Sequence, residues 1–109
     1  MTGVNILIAD DHELVRLGLI RILATSHPEW RVVGDVATGS AAVELGITAR
    51  PELAILDLVM PDLNGLEVAQ RLLDAVPGIR IVILTMYAAR PIVRQLRRAG
   101  VSAYLAKNE

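Results

Sequence analysis

Leu53-Ala54-Ile55-Leu56-Asp57-Leu58-Val59-Met60-Pro61-Asp62-Leu63-Asn64-Gly65 changes character halfway along. The first half is an apolar run suited to a strand buried on both faces, and the second half gathers Pro, Asp, Asn and Gly, which punctuate a loop. Asp57 therefore falls at the end of a buried strand. Crevices at the carboxyl ends of strands are where open α/β sheets take their ligands, which makes Asp57 a candidate site residue.

Upstream, Val4-Asn5-Ile6-Leu7-Ile8-Ala9 is a short β-branched run that stops at Asp10-Asp11. Val15, Leu19, Ile22 and Leu23 then recur at helical spacing with Arg16 and Arg21 on the other side, and Gly18 predicts close approach of a neighbouring backbone. Asp10 and Asp11 admit two readings. Asp is a good helix cap, and Glu13 stands three residues after Asp10 as in a capping box. Capping needs only one acid, however, and two adjacent carboxylates repel unless a cation lies between them. Trp30 to Ala37 reads as a second, more polar strand suited to a sheet edge. Thr38-Gly39-Ser40 opens a helix that continues to about Ala49 and stops before Arg50-Pro51. Gly34 to Ser40 nearly spells a phosphate-binding loop, but Ser40 stands where that motif requires Lys, and the reading fails.

Downstream, Leu66, Ala69, Leu72, Leu73 and Val76 supply another helical stripe, closed by Pro77-Gly78. Arg80 to Thr85 is a buried strand with Thr85 as its polar end. A fourth helix, from about Ala88 to Ala99, carries Arg90, Arg94, Arg97 and Arg98, accepts Pro91 in its first turn and ends at Gly100. Ser102 to Lys107 forms the last strand. Strands alternating with helices predict a parallel sheet with right-handed crossovers, so all strand ends emerge on one side. Asp10, Asp11, Asp57, Thr85 and Lys107 gather there. Carboxylates can hold a hard cation, Lys can pair with a phosphate and Thr can donate a hydrogen bond to it. Asp57 can itself be a nucleophile.

The totals agree with one α/β domain. The chain has 109 residues, 53% hydrophobic and only 3% aromatic with no Phe, so Val, Ile, Leu and Ala must build the core. No Cys is present, which excludes disulfides, thiolate metal sites and cysteine nucleophiles. No apolar run is long enough to span a bilayer and Met1 to Asn5 lacks the basic start of a signal peptide, so a cytoplasmic protein without membrane contact is expected. The net charge of −1 hides an asymmetry: residues 1–79 hold 5 basic and 11 acidic residues, and residues 80–109 hold 6 and 1. Solvated helix faces and a partner-binding face both account for it.

The acid pair, Asp57 within Leu56-Asp57-Leu58-Val59-Met60-Pro61, Gly65, Thr85, Tyr104 and Lys107 together resemble the receiver domain of bacterial two-component response regulators, over the whole chain. Asp11-His12-Glu13-Leu14-Val15-Arg16-Leu17-Gly18-Leu19 and Leu84-Thr85-Met86 further resemble the NarL-type branch, whose members usually continue into a helix-turn-helix DNA-binding domain. The resemblance implies a doubly wound, five-stranded parallel sheet of flavodoxin-like order 2-1-3-4-5. It implies a regulatory phosphoacceptor rather than an enzyme, in which Asp57 takes a phosphoryl group from a sensor histidine kinase. Mg²⁺ would be held by Asp11, Asp57 and the Val59 carbonyl, with Asp10 acting through water. Lys107 would contact the phosphoryl oxygens, Thr85 would turn inward to bond them, and Tyr104 would follow as the second part of a switch. On its own, Tyr104 reads as ordinary packing. DNA would be reached only through an output domain beyond these residues.

Two other readings compete. A haloacid-dehalogenase-like phosphatase also uses an Asp after an apolar strand, but it needs a second Asp where Val59 stands. A receiver-like dimerisation module would dispense with phosphorylation, which the intact acids argue against. The sequence also departs from the family pattern: arginines populate the fourth helix, and Glu109 comes before any fifth helix. The expected consequence is a bare sheet face to which Ile81, Ile83 and Leu105 contribute, completed by a longer chain or by a homodimer.

Overall fold

The structure, a computed structural model, describes residues 3–85 and 90–106. The chain order is β1 (Asn5–Ala9), α1 (Glu13–Ser26), β2 (Arg31–Val36), α2 (Gly39–Ala49), β3 (Leu53–Asp57), α3 (Gly65–Ala75), β4 (Arg80–Thr85), α4 (Arg90–Ala99) and β5 (Ala103–Ala106). All neighbouring strands pair in parallel in the order β2-β1-β3-β4-β5, as expected, with β2 at an edge. Chain direction reverses its progress across the sheet between β1 and β3. That opens a crevice at their carboxyl ends, where Asp10 and Asp57 lie.

Alternation along the strands divides the core in two. Leu7, Ala9, Leu56, Ile81 and Ile83 face α2, α3 and α4, where Ala42, Val68, Leu72 and Leu96 complete a cluster closed to solvent. Ile6, Ile8, Ile55 and Leu84 face α1, from which Val15, Leu19, Ile20 and Leu23 are only partly buried. Ile81 and Ile83 therefore lie on the closed face, contrary to expectation, because the register of β4 turns Val82 and Leu84 to the other side. Leu105, paired with Leu84, is 58% exposed, as predicted.

The first helix departs from its sequence reading in three ways. Its N-cap is His12, whose side chain makes no capping bond, so Asp10 and Glu13 do not form a capping box. Asp10 lies one residue past β1, and its carboxylate accepts from the His12 N–H just ahead of the helix. Ile20 takes the inward place expected of Ile22, which is 61% exposed. A Cβ on Gly18 would meet nothing within 4 Å, so no backbone packs there. The other helix ends follow local chemistry: Thr38 accepts from Ala41 N–H (3.2 Å) at the start of α2, and Asn64 accepts from Glu67 N–H (2.9 Å) at the start of α3. Gly100, at φ +93°, ends α4.

Candidate functional site

Ala9 and Leu56 are register partners on β1 and β3, and one residue further along each strand come Asp10 and Asp57. Both are buried although both are acids. Asp11 follows into the exposed turn before α1. Oxygens of the three carboxylates and a ring nitrogen of His12 all lie within 4.8 Å of one another. At an effective dielectric constant near 20, two unit charges about 5 Å apart repel by about 3 kcal/mol, so the three acids, when ionised, call for positive charge.

Local hydrogen bonds fix this cluster. The Asp10 N–H donates to Val36 O on β2 (3.0 Å), and Asp10 Oδ1 accepts from His12 N–H (2.8 Å). His12 Nδ1 lies 3.1 Å from Asp10 Oδ1 and 3.0 Å from Asp11 Oδ1. Arg16 Nη1 donates to the Asp10 carbonyl (2.7 Å), and its Nε donates to Asp35 Oδ2 on β2 (3.0 Å). Sequence spacing had set Arg16 among the solvated residues of α1, but its side chain is only 15% exposed. Spacing along the chain registers the charge at this position but not the backbone carbonyl that holds it.

The loop after Asp57 is held at two points. Gly65 N–H donates to Leu58 O (2.8 Å), and a Cβ at Gly65 would collide with the Asp57 carbonyl, so only glycine lets α3 start this close to the strand end. Further along the loop, the Asp62 carboxylate accepts from Gly39 N–H (2.7 Å), Ser40 N–H (3.0 Å), the Ser40 hydroxyl and Leu63 N–H (2.8 Å). The Ser40 hydroxyl bond, then the Ser40, Gly39 and Leu63 amides, hold this carboxyl well below the usual carboxylate range. Asp62 escaped the sequence reading, yet a signal existed. The near-match to a phosphate loop marked the start of α2 as a place for an anion, and a carboxylate from the chain itself fills it.

Thr85 closes β4 and is buried, one residue past Leu84, the register partner of Asp57. By alternation Thr85 shares a sheet face with Ile83, whose partner on β5 is Tyr104. Tyr104 is 40% exposed and borders a cleft with Val93, Arg97 and Val101. Val59 is exposed in the loop, and its N–H approaches Asp57 Oδ1 at 3.4 Å. Lys107 lies outside the described residues, as do the expected first residues of the fourth helix, Ala88 and Ala89. Among the sequence candidates, the structure thus gathers Asp10, Asp11 and Asp57 directly, with Val59 and Thr85 next to Asp57 along the chain or the sheet.

The chain belongs to the response regulator receiver domain family, whose sequence profile residues 6–109 match. It is similar to the DNA-binding transcriptional activator DevR/DosR of Mycobacterium tuberculosis, at 38% identity over 105 residues covering 96% of this chain and 48% of that one. Response regulator GacA of Pseudomonas aeruginosa is 34% identical over 104 residues, covering 95% of this chain and 48% of the relative. The chain spans about half the length of the curated relatives it matches. Among solved structures, the signal receiver domain of NarL from Mycobacterium tuberculosis superposes with a TM-score of 0.92 at 31% identity, covering all of this chain and 87% of that one. The NarL-type resemblance and the flavodoxin-like topology hold.

Proposed function

We propose that this chain is the phosphoacceptor domain of a transcription regulator, with Asp57 as the residue that receives the phosphoryl group. The observation that carries this reading is a buried acid at the carboxyl end of β3, with two further carboxylates from the end of β1 within 4.8 Å. A carboxylate there is sheltered from bulk water yet opens toward the loop, as nucleophilic attack on a phosphorus requires. The donor is a sensor histidine kinase, and the three carboxylates suit a hard divalent cation. Asp11, Asp57 and the Val59 carbonyl would hold Mg²⁺, with Asp10 acting through water. When bound, the ion supplies charge neutralisation for the transferring group. Thr85 and Lys107 take the phosphoryl oxygens as charge-assisted partners, worth about 1.5–3 kcal/mol each. Together they could supply about 3–6 kcal/mol, against the roughly 5.5 kcal/mol that reverses a 1:99 equilibrium. Tyr104, on the same face as Thr85, reads out the change.

The domain is a regulatory acceptor rather than a turnover enzyme. It works in the cytoplasm as part of a longer regulator that reaches DNA through an output domain, either alone or as a homodimer. Incubation with a small phosphodonor, comparing wild type with Asp57→Asn, tests the reading. A receiver retains one phosphoryl group per chain and the variant retains none. Continuous phosphate release would mark a phosphatase, and no uptake by wild type would mark a dimerisation module.

A further inference from the structure

Arg16 makes two bonds at once, to the Asp10 carbonyl (2.7 Å) and to Asp35 on the edge strand (3.0 Å). With the Asp10 N–H bonded to Val36 O, both backbone polar groups of Asp10 are held, one from β2 and one from α1. We infer that Arg16, braced by Asp35, is a positioning residue that sets the Asp10-Asp11 pair in the geometry a divalent cation needs. This inference rests on the metal-holding role proposed for those acids.

Three observations favour a positioning role. First, α1 starts after His12 without a side-chain cap and buries no residue fully, so beyond the His12 contacts the helix gives the turn that carries Asp11 little packing support. Second, the Arg16 bond lands on a carbonyl, not on any of the three carboxylates, so it fixes backbone without consuming a ligand oxygen. Third, the planar guanidinium has donors to spare for Asp35, and a side chain bonded at two points loses the rotamer freedom that would let Asp10 drift. Metal-site chemistry is sensitive to such outer contacts.

The sign of the effect separates positioning from simple electrostatics. A guanidinium near three acids disfavours a bound cation, so removing its charge should tighten Mg²⁺ binding if charge is all that matters. If geometry matters more, removal weakens binding. The experiment is a Mg²⁺ titration of wild type, Arg16→Met and Asp35→Ala, followed through the amide chemical shifts of Asp11, Leu58 and Val59, with thermal melts of each metal-free protein. Both variants should bind Mg²⁺ about tenfold more weakly, the lower range for loss of an outer contact. Arg16→Lys, which can reach one partner but not both, should recover part of the loss. Tighter binding by Arg16→Met, or unchanged affinity with only a lower melting temperature, overturns the inference. Asp35→Ala removes a negative charge and weakens binding on either account, so if Arg16→Met does not fold the test rests on Arg16→Lys, which keeps the positive charge: weaker binding by it supports positioning, and wild-type affinity overturns it. Absence of Mg²⁺ binding by wild type would instead remove the metal reading itself, and this inference with it.

Discussion

The two faces of the sheet are built to different standards. On the α2–α4 side, Ile81, Ile83, Leu72 and Leu96 are almost wholly removed from water, and α2 and α3 both begin with side-chain caps. On the α1 side, no residue of the helix is fully buried, its start has no side-chain cap, and Leu14, Leu17 and Ile22 are more than half exposed. The clustered acids sit at the seam. Asp57 leads into a loop pinned to the closed side by Asp62 and Gly65, whereas Asp10 and Asp11 lead into the open side, where His12 and Arg16 tie them. A closely packed wall thus backs Asp57, and a more open one backs Asp10 and Asp11.

Core truncations measure the contrast most directly. Leu72→Ala, in the closed cluster, should cost about 3–4 kcal/mol because the cavity it leaves cannot collapse. Leu19→Ala, where the side chain is already partly wet, should cost only about 1 kcal/mol from lost burial. Urea denaturation of both variants gives the comparison. Equal losses would show that α1 is packed as tightly as the other helices.

The Asp62 tie sharpens the contrast through its pH dependence. Because the folded carboxyl is held below its unfolded value near 4, its contribution is fully present above about pH 4 and is lost as pH falls toward the folded value. Asp62→Asn should therefore be less stable than wild type at neutral pH, and the gap should narrow below about pH 4. A gap that stays constant from pH 6 to pH 3 would mean that the carboxylate charge plays no part in pinning the loop.

A smaller effect is expected on the open side. In Asp11→Asn, one of three clustered charges goes, and the metal-free protein should gain about 0.5–1 kcal/mol, the range for a partly exposed charge. Mg²⁺ should then raise its melting temperature less than that of wild type. A variant that melts lower without metal and responds to Mg²⁺ like wild type would contradict the repulsion assigned to the cluster.

The alternation of strands and helices, the acid positions and the C-terminal ends of α2, α3 and α4 were legible in the sequence because each is carried by local patterns, apolar runs, turn residues and a stop glycine, whereas the strand order came only from the family resemblance. What was not legible depended on register or on distant partners. Ile81 and Val82 look alike in a buried run, and only the pairing of β4 with β3 decides which faces α3. The helical stripe of α1 slipped from Ile22 to Ile20 because apolar residues surround both positions and a half-covered helix imposes a weak choice. Asp62 and Arg16 find their partners 22 and 19 residues away, beyond the reach of any spacing rule.

The smallest effect concerns Leu105, which lies on the edge strand β5 facing the same side as Leu84 and is 58% exposed. A side chain that is largely wet in the folded state gives up little when it becomes polar, and substitutions of that kind usually fall within about 0.5 kcal/mol. Leu105→Thr also places a β-branched side chain in the strand, which suits its extended backbone. Its melting temperature should match that of wild type at low protein concentration. If a second copy of the chain covers this edge, the wild-type melting temperature rises with concentration while that of the variant does not, since only a self-associated face is stabilised by mass action. A loss above about 2 kcal/mol at micromolar concentration, independent of dilution, would place Leu105 in a packed core instead. The open face would then be closed from within the chain, and the contrast between the two sides of the sheet would fail.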